Sequence, residues 1–208
     1  MGVALTQLIP IVELTPGQVG HIRNSVINRV IAEAAKELRM EPDKLVVRDV
    51  RPVGDLQMYY SGGVDATTEN WYYNCTATTN GYQSVTGDKT MGDQRWVALF
   101  GIRDFRCNLG GLLTATVPCT SGVVNDLSRV SLIKINVGGG DKVMWDSKGM
   151  QAYQQAPVAI TPSAVIIPQN TIFNISYYKA MTVVSDCGAF TMQLIGVAVE
   201  PRGRLISP

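Results

Sequence analysis

A hydrolytic triad needs a nucleophile, a general base and a group that orients the base. The only histidine in the chain, His21, stands near Arg23 with no nucleophile in a recognisable motif around it. It reads as a surface or interface residue. Cupin-type metal binding would need several histidines, and a zinc cluster would need closely spaced cysteine pairs. The cysteines, Cys75, Cys107, Cys119 and Cys187, lie 32, 12 and 68 residues apart. No metal site, cofactor or catalytic residue is expected. The apolar surroundings of the cysteines fit buried free thiols as well as one or two disulfides, and free thiols are the preferred reading.

Four aspartates, Asp104, Asp141, Asp146 and Asp186, fall at expected strand ends or turns. A glycosidase pair could be built there across a groove, but aspartate is an ordinary turn residue and no motif joins two of them. Gly138-Gly139-Gly140-Asp141 is read as a hairpin turn, because a phosphate loop would need a following helix and a lysine-serine or lysine-threonine pair. The aromatics Tyr59, Tyr60, Trp71, Tyr72, Tyr73 and Tyr82 gather in one third of the chain. They could stack sugars or bases. Alternation along a strand instead sends Trp71 and Tyr73 to the core and Tyr72 outward, toward solvent or a neighbouring subunit. Arg202-Gly203-Arg204 is the only compact basic spot, so direct nucleic-acid binding is not expected. Asn74-Cys75-Thr76 and Asn174-Ile175-Ser176 match the glycosylation pattern, but both fall within expected strands and are read as chance.

The elements that would hold such residues follow from composition and periodicity. The chain has 208 residues, 46% of them apolar and 17% charged, with net charge +1. That is enough for one sizeable core, and the near-neutral charge does little to oppose self-association. Twenty glycines and ten prolines mark a packed protein with many turns. No run of about 18 apolar residues is present, so no transmembrane helix is expected. The opening segment Met1 to Leu14 lacks the basic start and cleavage pattern of a secretory signal. Met1-Gly2-Val3-Ala4-Leu5-Thr6 fits the loose myristoylation pattern, on a match too short to carry weight.

Thr15-Pro16-Gly17-Gln18 is a helix start, with a capping threonine, a proline suited to the first turn and a glutamine able to reach back. Val19, Ile22, Val26, Ile27, Val30, Ile31, Ala34 and Leu38 recur at helical spacing, with Pro42 as the stop. The stripe must lie on the domain's own sheet or on a neighbouring subunit; Val19, Ile22, Val26 and Val30, with Tyr72, are the candidate subunit-interface residues. Beyond Pro42 the pattern turns β-rich. Strands are expected near Lys44 to Val50, Leu56 to Tyr60, Trp71 to Thr78, Gln94 to Phe105, Leu112 to Val117 and Val130 to Val137, and then near Lys142 to Trp145, Ala164 to Ile167, Ile172 to Val184 and Phe190 to Glu200. The organisation is thus a 1–42 segment carrying an amphipathic α-helix and a 43–208 β domain. Its fold class is mainly β: an antiparallel jelly-roll sandwich or barrel, with an immunoglobulin-like sandwich as runner-up.

Residues 164 to 177, Ala-Val-Ile-Ile-Pro-Gln-Asn-Thr-Ile-Phe-Asn-Ile-Ser-Tyr, are followed by Phe190 to Pro201, a strand carrying Gly196 and ending at a proline. This pattern resembles the last strands of small single jelly-roll capsid proteins of icosahedral, membrane-containing tailless viruses. The resemblance implies a coat protein located in the virion and assembled in the host cytoplasm. Its partners would be copies of itself and other capsid proteins. Where the commoner spherical-virus coat proteins have a basic N-terminal arm, this chain has none, so an internal membrane or another protein would separate shell from genome. The rival from another class is a carbohydrate-binding β-sandwich module presenting Tyr59, Trp71 or Tyr82 to sugar.

Overall fold

The helix begins where the capping residues place it. Thr15 accepts a hydrogen bond from the Gln18 backbone N–H at 3.3 Å, while the Gln18 side chain accepts from the Thr15 N–H at 2.8 Å, so two donors at the helix start are satisfied reciprocally. Helix α1 runs Pro16–Leu38. It ends earlier than Pro42 requires, because Arg39 adopts the left-handed conformation (φ 54°), which closes the last turn with an N–H bonded to Ala35. Pro42 instead opens a short 3-10 turn, Pro42–Lys44.

The computed structural model describes residues 4–50, 55–56, 71–73, 81–84, 88–108, 123–124, 130–146, 158–179 and 189–204. Two short strands, β1 (Ala4–Gln7) and β2 (Ile9–Pro10), precede the helix, and β3 (Leu45–Asp49), β4 (Trp71–Tyr73), β5 (Gly81–Ser84), β6 (Lys89–Thr90), β7 (Trp96–Asn108) and β8 (Val123–Val124) follow it. The chain then forms β9 (Val130–Val137), β10 (Gly140–Asp146), β11 (Val158–Ile167), β12 (Ile172–Lys179) and β13 (Ala189–Pro201). The protein is mainly β, with two antiparallel-rich sheets and one helix among the described residues.

The first sheet has the order β1-β10-β9-β12-β5, with β6 also on β12; the second has the order β2-β11-β7-β13-β3, with β4 on β13 and β8 on β7. Gly138 and Gly139, at φ 67° and 76°, make the tight turn between β9 and β10. Ile133, Ile135, Trp145, Phe173 and Ile175 of the first sheet meet Val97, Leu99, Ile102, Ala159, Ile167 and Ala198 of the second in one core. A second apolar layer lies on the other face of the second sheet, beneath α1. Two glycines permit its close strand packing. A Cβ at Gly196 would stand 2.6 Å from the Ala98 carbonyl oxygen, and one at Gly101 would stand 2.5 Å from that of Ala159.

The 1–42 segment is woven into the sheets. β1 adds to β10 in parallel, Ala4 opposite Val143, and β2 adds to β11. Leu8 between them is fully buried in the inter-sheet core. Strand β11 begins at Val158 rather than near Ala164, since its register shifts between Ile160 and Val165 and carries it through Pro162. Leu56, expected to open a strand, is instead in a helical turn and buried in the core. Tyr59, Tyr60 and the expected strand at 112–117 lie outside the described residues, as do the parts of expected strands at 57–60, 74–78 and 180–184.

Candidate functional site

Of the two destinations open to the helical stripe, the structure places it on the chain's own sheet. Ile22, Val26, Val30, Ala34 and Ala35 are buried against Trp96, Ala98, Phe100, Ile160, Val197 and Val199, with Val19, Ile27, Ile31 and Leu38 packed at the margin. The apolar area of Ile22, Val26 and Val30 is thus removed from water within the chain itself. On the opposite face of α1, His21, Asn24, Asn28, Arg29 and Lys36 are exposed. The Trp96 indole donates to Glu37 at 3.1 Å, and Glu37 also accepts from the Gln169 side chain at 3.1 Å, fixing the last turn of the helix to the β11–β12 connection. Tyr72 lies in β4 with its backbone opposite Thr191 of β13.

A second cluster was not legible as a motif: Arg48, Asp55, Arg95 and Glu200. Arg48 grips the Asp55 carboxylate with two hydrogen bonds of 2.6 and 2.7 Å and reaches Glu200 at 2.5 Å. Arg95 reaches Glu200 at 2.8 Å and Asp55 at 3.2 Å. The Asp55 side chain has no exposed surface and Glu200 has 6%, so these are desolvated charges that the two guanidinium groups must match. Hydrogen bonding to Asp55 first, then the charges of Asp55 and Glu200, hold Arg48 protonated well above its ordinary range, against burial, which pushes the other way. Two fixed positive and two negative groups make this a neutral clamp. It binds β3, β13 and the start of β7 to the residues that follow β3, and it places Leu56 in the core.

The remaining candidates do not converge. His21 is exposed on α1. Asp141 and Asp146 stand at opposite ends of β10, Asp104 belongs to β7 in the other sheet, and Asp186 lies outside the described residues. Among the described residues no three histidine, cysteine, aspartate or glutamate side chains gather as metal ligands would. No helix among them is long and apolar enough to cross a membrane. Tyr82 of β5 has its backbone opposite Tyr178 of β12, while Trp71, Tyr72 and Tyr73 belong to the other sheet, so the aromatic run is divided between the sheets. Asn174 donates to Asp88 at 3.1 Å within β12, a strand setting for that glycosylation-pattern asparagine.

Two surfaces remain. Among the described residues the main contacts of the helix are with β11, β7, β13 and β3, all in the second sheet, while the outer face of the first sheet is polar. Lys134, Asn136, Asn174 and Ser176 alternate there with the buried Ile133, Ile135, Val137, Phe173 and Ile175, and Asn136 stands in register with Asn174. An open groove of about 440 Å³ lies between α1, β11 and the β9–β10 hairpin, with Val137, Val143, Val165, Ile166 and Pro168 on its walls. Arg29 and Glu33, paired at 3.2 Å, also line it. Comparison with protein-family models, with curated proteins and with solved structures gave no match.

Proposed function

We propose that this chain is a structural subunit of an icosahedral virus shell, built on a jelly roll and assembling with copies of itself by burying surface rather than by chemistry. The order of strand pairing carries the reading. Taking the eight strands β3, β5, β7 and β9 to β13, with β6 continuing the β5 position, one sheet reads β3-β13-β7-β11 and the other β5-β12-β9-β10. Along the chain these strands alternate between the sheets at every step except the β9–β10 hairpin. That alternation supports the reading as a double-sheet jelly roll, an architecture of viral capsid and lectin domains.

The C-terminal strands that resemble capsid proteins are β11, β12 and β13, three of those eight. On this reading other capsid proteins and an internal membrane or protein layer are its partners, the virion is its location, and assembly takes place in the host cytoplasm. Light scattering across concentration and ionic strength, followed by electron microscopy of any large species, tests it. The expected result is a closed oligomer or particle with a mass many times the 22.6 kDa of the chain. A monomer under every condition overturns it.

A second reading, a carbohydrate-binding module, draws on the polar outer face of the first sheet, where Asn136 stands in register with Asn174 and Lys134 with Ser176. Titration of the protein with a panel of neutral glycans checks it, and the absence of any heat or fluorescence change at millimolar sugar removes it.

A further inference from the structure

We draw no further inference here: the strongest candidate, the open groove between α1, β11 and the β9–β10 hairpin, has apolar walls and an Arg29–Glu33 pair that neutralises itself, and nothing in the structure shows what covers it.

Discussion

The two sheets bury their residues by different rules. In β9 of the first sheet, Ile133, Ile135 and Val137 are buried while Leu132, Lys134 and Asn136 are only half-buried. In β7 of the second, Trp96, Val97, Ala98, Leu99 and Phe100 are all buried in succession, and Val197, Ala198 and Val199 of β13 repeat the pattern. The helix makes the difference, since it turns the outer face of the second sheet into a second core. An antiparallel sheet covered on both sides acquires the continuous apolar run usually associated with parallel sheets. Charge follows the same division. Lys134 and Asp88 of the first sheet's side border water, whereas the carboxylates at the end of the second sheet are buried and bound by two arginines.

The contrast can be broken most sharply at the clamp. Asp55→Ala leaves Arg48 and Arg95 short of a partner in a partly desolvated site, and urea unfolding is expected to show a loss of about 3–5 kcal/mol. A loss below about 1 kcal/mol would mean that the cluster is effectively solvated. Trp96→Ala removes the largest side chain under the helix and one of the hydrogen bonds to Glu37. The same measurement is expected to give a loss of about 3–5 kcal/mol, and helical circular dichroism should weaken before the β signal does.

A smaller effect is expected at Gly196. Alanine there must push against the Ala98 carbonyl and Leu99, at a cost of about 1–3 kcal/mol, with the damage confined to the β13–β7 pairing in hydrogen exchange. Lys134→Ala sharpens the comparison from the other side. Lys134 is half-buried, so the change should cost less than about 1 kcal/mol, and a larger loss would show that the first sheet's outer face contributes to stability as the second's does.

The sequence carried the two-core arrangement in part. The capping residues and the 22–26–30 stripe announced the helix, and the apolar runs of β7 and β13 announced strands, though not that both faces of them would be covered. The short strands were not legible. β1 and β2 have four and two residues, too few for any alternation to register, and their partners lie far along the chain in β10 and β11. The strand expected near Ala164 to Ile167 missed the stretch from Val158, in which Pro162 sits where the β11 register shifts. The clamp was hidden by distance, since its residues come from positions 48, 55, 95 and 200. One signal was present: Glu200 closes the run Val197-Ala198-Val199, where alternation puts a carboxylate on the face of Ala198, toward the inter-sheet core.

The placement of β1 has a consequence in time. Ala4 is synthesised well before its partner Val143, and Leu8 fills a core whose other wall includes Ala159 and Ile167. Strands β1 and β2 therefore have no partners until β10 and β11 have emerged. β13, the central partner of β3 and β7, arrives later still. Folding of this chain cannot proceed from one end to the other. Closing β3 and β7 onto β13 is a late, non-local step, and such pairings form slowly.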